Sequence, residues 1–415
     1  MRRQLSPSTH IITDSGRTLR VDSFIGEGGQ AEVYRATLQG QSHPVALKLF
    51  HKSQATEQTK KRIKHLTKLK LDQLDPAICA PFDTVTKNGL VGHVAPFVGG
   101  ESLLEALENA SLSFGEAFEV ALQILVLIIK ITDAGIVHGD LQTQNFIIRR
   151  DINGIRLFMI DLDNFTAKGV PRPKMIGMTL YIAPELRKCI GMKRSIHPTR
   201  ESDLYSLGVL LHEILLSFHP IAGFDQTVEE IEKSMSQEWK YDPGNLNAPK
   251  NPHGYPARSL SPELVELFRD ALSQTPNKRP SIESWVPALE NATKNLLICS
   301  ECQVPYVSYI SRTECPFGHR VNVSILRLEN GAEIRVDGFT TILGRKELGG
   351  SNRISRQHLV VRKIRNSLCV ESIGKNPTFI REGIVWRTLN QNEFTELKPN
   401  DRLLVADTPL WYTPK

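Results

Sequence analysis

Three side chains stand at intervals that suit the transfer of a phosphoryl group. In "VHGDLQTQNF" (137–146) Asp140 and Asn145 lie five residues apart, and sixteen residues after Asn145 the apolar run "FMIDLDNF" supplies Asp161. Phosphoryl transfer uses a carboxylate beside the acceptor hydroxyl, together with an amide oxygen and a second carboxylate facing a metal. Its transition state is stabilised mainly by positioning and by charge neutralisation. Upstream, "GEGGQAEV" (26–33) offers Gly26, Gly28 and Gly29, whose missing side chains let backbone N–H groups face an anion. Fifteen residues beyond Val33, "VALK" brings Lys48, whose ammonium can hold two phosphate oxygens as a point charge. A glycine-rich hairpin is usually only a hairpin, and a strand lysine is usually a surface residue. Their order ahead of the two acids is what raises them.

The elements that must carry these residues follow from patterning. Up to about Ala95 the runs "LRVDSFIG", "AEVYRATL", "PVALKLF" and "GLVGHVAPF" are short, apolar and β-branched, and are separated by Gly, Asp, Asn or Pro, which predicts strands. One Lys-rich helix interrupts them, from about Gln54 to Leu71, with Ile63, Leu66, Leu69 and Lys70 near helical spacing. From Leu103 to about Glu290 the spacing is helical, with Val120, Ile124, Leu127 and Ile131 on one stripe and Leu204, Leu207, Leu211 and Leu215 on another. A small sheet lobe followed by a larger helical lobe is the implied architecture.

In their order the motifs resemble the protein-kinase fold, whose signature runs glycine-rich loop, strand Lys, H-R-D loop with Asn, D-F-G, then A-P-E. The last appears in "GMTLYIAPEL" as Ala183, Pro184 and Glu185. "ESDLYSLGVLLHEIL" matches the helix whose Asp, here Asp203, braces the catalytic-loop backbone in that family, and "PNKRPSIESW" offers Arg279 as the buried partner of Glu185. The resemblance covers about residues 10 to 290. It implies an ATP and Mg2+ site, with Gly26, Gly28, Gly29, Val33 and Lys48 on the nucleotide, Asn145 and Asp161 on magnesium, and Asp140 at the acceptor hydroxyl.

Four departures from the family pattern matter. Gly139 replaces the Arg that commonly reads a phosphate on the activation segment, so switching by phosphorylation there is not implied. Gln142 stands in place of a Lys near the transferred phosphate, Met178 in place of a Thr that contacts the catalytic Asp (Thr179 is adjacent), and "DLD" puts Asp163 at the Gly of D-F-G. The helix after Lys48 should also hold a Glu to pair with it. Only Glu57 comes close, and it comes early; Glu57 or Gln58 as that partner, and Glu57 as a solvated helix-start acid, both stay open. "HGD" with "IDLD" also resembles small-molecule phosphotransferases of the aminoglycoside and choline kinase type, in which Asp163 is a functional second acid. The A-P-E segment and Arg279 favour the protein-kinase branch. A nucleotide-binding pseudokinase scaffold is the rival from another class, but Lys48, Asp140 and Asp161 are all retained, which favours an active enzyme; a Ser or Thr acceptor is what the resemblance implies.

The chain has 415 residues, 40% hydrophobic and 23% charged, with a formal net charge of +6, values of a globular protein with several domains. The basic stretches Lys60 to Lys70 and Lys363 to Arg365 read as a solvated helix face and a loop, so no nucleic-acid partner is expected. The longest apolar run, "ILVLIIKI" (124–131), is too short for a membrane span, and no apolar stretch follows the basic "MRRQLSPSTH", so a cytoplasmic protein is expected. Six cysteines make no disulfide framework. "CSECQVPYVSYISRTECPFGH" instead places Cys299 and Cys302, then Cys315 and His319, as two knuckles with twelve residues between them, the spacing of a structural zinc ribbon. Cys79, Cys189 and Cys369 are isolated and read as packed thiols.

After the ribbon the chain returns to strands: "VSILRLEN", "EIRVDGF", "TTILG", "HLVVRKI", "LCVESI", "PTFIREG" and "RLLVAD", with turns at Asn330-Gly331 and Asp337-Gly338. An all-β sandwich is predicted. "LGRKEL", "ISRQHLVV" and "GKNPTFIREG" resemble the forkhead-associated domain, which reads phosphothreonine peptides and whose pattern is G-R, S-x-x-H and N-G-T on three loops. The resemblance implies that Arg345 and Ser355 bind phosphate oxygens, Arg356 adds charge, Asn376 holds the peptide backbone and His358 fixes the loop, with Pro377 departing from the family Gly.

The fold class expected is thus multidomain α+β: a two-lobed kinase fold (1–97 and 98–292), a small zinc ribbon (296–320) and a forkhead-associated sandwich (321–415). The chain as a whole resembles bacterial eukaryotic-like Ser/Thr kinases that accompany a von Willebrand A-like protein and a metal-dependent protein phosphatase. That resemblance implies these two as partners or substrates, besides a phosphothreonine protein or a second copy of the kinase.

Overall fold

The computed structural model of the chain describes residues 3–414 except 88, 153, 172, 174–178, 195–196, 224–238, 246–253, 310–311, 321–323, 337–339, 350, 365–366 and 392. Met178, Arg365 and the Asp337-Gly338 turn therefore lie outside the described residues. The chain divides into two compact units, residues 1–254 with 266–286, and residues 255–265 with 287–415.

The first unit opens on six antiparallel strands: β1 (His10–Ile12), β2 (Thr18–Glu27), β3 (Ala31–Leu38), β4 (Pro44–Phe50), β5 (Asp83–Val85) and β6 (Gly92–Pro96), in the order β1-β2-β3-β4-β6-β5. Successive strand residues face opposite sides, so Val45, Leu47 and Leu49 of β4 join Val21, Tyr34 and Val94 in one buried cluster. The same alternation turns Lys48 to the other face. There the register sets Gly26 beside Val33, Val33 beside Lys48 and Lys48 beside His93, one row across four strands.

Helix α1 (Glu57–Lys68) interrupts the sheet. Thr56 caps its start by accepting from the Thr59 N–H, and Lys70 ends the turn beyond it in the left-handed region, φ 49°. Those two signals make the helix shorter than hydrophobic spacing alone implies.

The remainder of the unit is mainly helical. It contains β7 (Glu101–Ser102), α2 (Leu103–Glu108), α3 (Phe114–Asp133), β8 (Phe146–Asp151), β9 (Gly154–Met159), α4 (Pro184–Gly191) and α5 (Arg200–Leu216). Farther along run α6 (Pro262–Ala271) and α7 (Ile282–Lys294). Ser102 with Glu105 and Ser113 with Glu116 form capping boxes at α2 and α3. The predicted stripes on α3 and α5 are buried. Strands β7, β8 and β9 form a small sheet, and the pairing of Phe146 with Met159 brings the residue before β8 next to the residue after β9. Glu185, in the first turn of α4, accepts two bonds of 2.7 Å from Arg279, whose side chain is fully buried. Among the described residues no helix is long and apolar enough to cross a membrane.

In the second unit β10 (Leu296–Ile298) pairs with β11 (Pro305–Val307). Arg312 ties this hairpin to the 255–265 segment, donating to the carbonyls of Val307 (3.0 Å) and Arg258 (2.6 Å). Ten strands follow: β12 (Ser324–Leu328), β13 (Glu333–Val336), β14 (Thr340–Leu343), β15 (Leu359–Ile364), β16 (Ser367–Ser372), β17 (Thr378–Glu382), β18 (Val385–Thr388), β19 (Thr395–Leu397), β20 (Arg402–Val405) and β21 (Thr408–Pro414). They form sheets of order β13-β12-β21-β20-β17-β18 and β14-β15-β16-β19, which share one apolar core that includes Leu326, Leu343, Val361, Val370, Leu403 and Leu410. The turn at Asn330-Gly331 joins β12 to β13, with Gly331 at φ 83°. Strands β1, β5, β7, β8, β18, β19 and β21 do not stand out as separate elements in the sequence: they are short, edge-placed, set beside or within the stretch of helical spacing, or carry Trp, Tyr and Pro without clear alternation.

Candidate active site

The loop "HGDLQTQN" is held by bonds to its own backbone. The N–H groups of His138 and Gly139 donate to the two oxygens of Asp203 on α5, at 2.6 and 3.0 Å. Burial pushes the Asp203 carboxyl up to about 7, against the two N–H bonds that favour its charge. The Asn145 side-chain Nδ2 donates to the Asp140 main-chain carbonyl at 2.7 Å, while the main-chain carbonyl of Asn145 accepts from the Ile160 N–H at 2.8 Å. The β8–β9 hairpin therefore brings Asn145 beside Asp161, which takes the left-handed conformation at φ 59°, uncommon for a non-glycine residue and a source of local strain. Asp140 itself receives one donor on each oxygen: Gln142 Nε2 at 2.8 Å on Oδ1 and Asn164 Nδ2 at 3.0 Å on Oδ2. Burial raises its carboxyl, the Asn164 bond lowers it, and the nearby Asp161 raises it.

Lys48 meets Asp161 at 2.6 Å and Asp163 at 2.8 Å. Asp163 is almost fully buried and also accepts from His93 Nε2 at 3.0 Å. Burial alone would push the Asp163 carboxyl up, but Lys48 and His93 together hold it well below the usual carboxylate range. Desolvation works against the Lys48 charge as well, and its two acids overcome that and raise it. Among the described residues neither Glu57 nor Gln58 contacts Lys48. Glu57 is exposed and pairs with Lys60 at 2.6 Å one turn on, so it is the solvated helix-start acid, and the carboxylate that joins Asp161 on Lys48 comes from the "DLD" segment. Helix α1 instead turns a cation inward. Arg62 donates to the carbonyls of Asp163, Phe165 (2.8 Å) and Pro171 (2.6 Å).

The structure thus brings Lys48, Asp140, Asn145 and Asp161 together, with Gly26 and Val33 in the Lys48 row. Gly28 closes the hairpin turn through its N–H on the Ala31 carbonyl, and no neighbour crowds Gly28 or Gly29. Sequence reasoning missed His93, Arg62 and Asn164. His93 had no signal apart from its register opposite Lys48. Arg62 sits next to Ile63 on the buried face of a helix whose other cations face water. Asn164 is the neighbour of "DLD", and only the fold points it at Asp140.

In the second unit Cys299, Cys302, Cys315 and His319 place their ligand atoms within 4.8 Å of one another. The Cys299 Sγ–His319 Nδ1, Cys302 Sγ–Cys315 Sγ and Cys315 Sγ–His319 Nδ1 separations are 3.6, 3.8 and 3.4 Å. A tetrahedral zinc with S–Zn bonds of about 2.3 Å has edges of about 3.8 Å, so this donor set fits the ion. At one end of the sandwich Arg345 donates to the carbonyls of Ile354 (3.1 Å) and Asn352 (3.2 Å). Ser355 Oγ accepts from the Lys375 N–H at 3.0 Å, and the Asn376 amide donates to the Arg353 carbonyl at 2.6 Å. Arg356 is exposed on the same loop, and the fully buried His358 accepts from the Ser355 N–H at 3.0 Å. Two positions on these loops require glycine. A Cβ on Gly344 would lie 1.8 Å from the Arg356 carbonyl oxygen, and one on Gly374 would lie 2.3 Å from the His358 ring.

The partner assignment for Lys48 predicts a contrast in stability. Asp163→Ala leaves Lys48 with one acid and His93 with none, and is expected to cost about 3–5 kcal/mol in urea unfolding, whereas Glu57→Ala is expected to stay within about 0.5 kcal/mol. Equal costs would return the pairing role to the helix.

Residues 19–288, well over half of the chain, match the family model described as the protein kinase domain. The serine/threonine-protein kinase pkn3 of Myxococcus xanthus is 24% identical over 288 residues, which cover 66% of this chain and 50% of that protein. The serine/threonine-protein kinase pkn2 of the same organism is 29% identical over 53% of this chain and 26% of its own length. A probable serine/threonine-protein kinase of Clostridium perfringens, CPE1738, is 22% identical over 65% of this chain and 38% of its own. The chain thus spans half or less of the length of these relatives. With the glycine-rich hairpin, strand lysine, braced acid loop and Glu185–Arg279 pair all in place, the match over residues 19–288 has one meaning: the chain belongs to the protein kinase family.

Proposed function

We propose that the chain is an ATP-dependent protein serine/threonine kinase that carries its own phosphothreonine-reading module, joined through a structural zinc ribbon. The observation that carries the catalytic part is Asp140, fixed at both oxygens in a loop braced by Asp203, in the same cleft as the Lys48–Asp161 pair. Asp161 and Asn145 offer oxygen donors of the kind magnesium takes, since the Asn145 amide nitrogen is committed to the Asp140 carbonyl and its oxygen remains for a ligand. Mg-ATP supplies, when bound, the phosphoryl group and the neutralisation of its developing charge. Lys48 would hold phosphate oxygens, with Asp163 as its second acid beside Asp161. Asp140 orients the Ser or Thr hydroxyl and takes up its proton. The Glu185–Arg279 anchor under α4 supports a protein acceptor over a small alcohol.

The forkhead-associated reading is supported by the loops that carry Arg345, Ser355 and Asn376, which are tied to one another at one end of the sandwich. Arg345, Arg356 and the Ser355 hydroxyl would take the phosphate of a phosphothreonine by charge-assisted hydrogen bonds, and Asn376 would hold the peptide backbone. A tethered reader raises the local concentration of its partner without changing the chemistry.

Mass spectrometry of the purified chain after incubation with Mg-ATP tests the enzyme. Phosphate incorporation that disappears in Asp161→Ala is expected; nucleotide binding without transfer would mean a scaffold, and transfer only to small alcohols would mean a small-molecule phosphotransferase. Metal analysis is expected to find about one zinc per chain, and its removal by a chelator to lower the unfolding temperature, because the 296–320 segment is too small to hold its fold by apolar burial. Arg345→Ala is expected to weaken phosphothreonine-peptide binding roughly tenfold or more, with no binding of the unphosphorylated peptide to either form.

A further inference from the structure

We propose that Asn164 is the positioning residue for Asp140, and that helix α1 sets Asn164 through Arg62, a link from the helix to the acid loop that does not pass through Lys48. The proposal rests on the kinase reading above. Asn164 is buried, and its two amide atoms are both used: Nδ2 donates to Asp140 Oδ2 at 3.0 Å, and Oδ1 accepts from Gln30 Nε2, at the tip of the glycine-rich hairpin, at 3.2 Å. The Gln30 bond fixes which way the amide points, so that a donor faces the carboxylate.

The backbone of Asn164 is held just as closely. Arg62 Nη2 donates to the carbonyls on either side of it, those of Asp163 and Phe165, and its guanidinium lies 5.0 Å from the centre of the Phe165 ring. With Nη1 on the Pro171 carbonyl at 2.6 Å, the rigid planar group reaches three carbonyls from two nitrogens, which a single lysine ammonium does not reproduce. On the opposite side a Cβ at Gly139 would lie 2.8 Å from the Asn164 carbonyl oxygen, and Gly139 has φ 74°. The glycine that stands where the family carries an arginine is therefore what lets Asn164 come up against the acid loop. Arg62, Asn164, Gly139 and Asp140 form one connected set, and a carboxylate held by two amide donors has little freedom to rotate away from an acceptor hydroxyl.

The test uses the full chain with Mg-ATP and a protein acceptor. Asn164→Ala is expected to lower kcat roughly ten- to a hundredfold and to leave the KM for ATP within about twofold. Arg62→Lys is expected to lower kcat in the same direction. An unchanged kcat in Asn164→Ala, or a loss of kcat accompanied by a matching rise in the KM for ATP, overturns the proposal, the latter being what a merely structural residue gives. Should Asn164→Ala not fold, Asn164→Leu keeps the bulk without the donor and is read by the same criteria. If the unsubstituted chain transfers no phosphate, the kinase reading fails, and crystal structures of the chain and the variant decide this inference separately. An Asp140 carboxylate rotated away in the variant supports it, and an unmoved one overturns it.

Discussion

The sheet lobe is organised around a cation taken out of water. Lys48 lies on the face of β4 opposite its apolar core, and an ammonium there is tolerated only because two carboxylates meet it. Both come from the segment after β9, so the pairing ties the sheet lobe to the loop that carries Asp161. Because the second acid is Asp163, helix α1 does not have to supply one. That releases its inner face for Arg62, whose charge faces carbonyl oxygens and lies near the Asp163 carboxylate. The departures from the family pattern in "DLD" and in the helix are thus one change in where the negative charge is placed.

A second constraint acts on the acid loop. Backbone N–H groups that point into the protein must find acceptors, and those of His138 and Gly139 find both oxygens of one buried carboxylate. The loop is then closed by Asn145 on the Asp140 carbonyl and pinned to β9 by the Ile160 N–H. With its backbone fixed at both ends, the remaining freedom of Asp140 lies in its side chain, which two amides restrain. Gln142 supplies one of them in place of the usual lysine, so the exchange removes a charge from this corner and keeps a donor on the acid.

The second unit solves its own placement problems by different means. The β10–β11 turn carries Cys299 and Cys302 and the turn between Glu314 and Arg320 carries Cys315 and His319, which together bring three sulfurs and an imidazole within 4.8 Å of one another, and the sandwich closes its loop end with backbone carbonyls and close-packed glycines. On the proposed reading, the arginines and the serine of those loops are pre-arranged for a phosphate while remaining open to solvent.

Much of this was legible in the residue order. Strand alternation places Lys48 opposite Leu47 and Leu49, helical spacing identifies buried stripes on α3 and α5, and the intervals among Asp140, Asn145 and Asp161 carry the resemblance to the kinase signature, because period and spacing are local properties of a chain. The partner of Lys48, the inward turn of Arg62, the row mate His93 and the bond from Asn164 to Asp140 were decided by tertiary structure. Each joins residues tens of positions apart whose types do not announce a pairing: an arginine in a basic helix looks solvated, and an asparagine beside an aspartate looks like a turn. A buried charge takes whichever opposite group the packing brings within reach, and that distance exists only once the chain has folded.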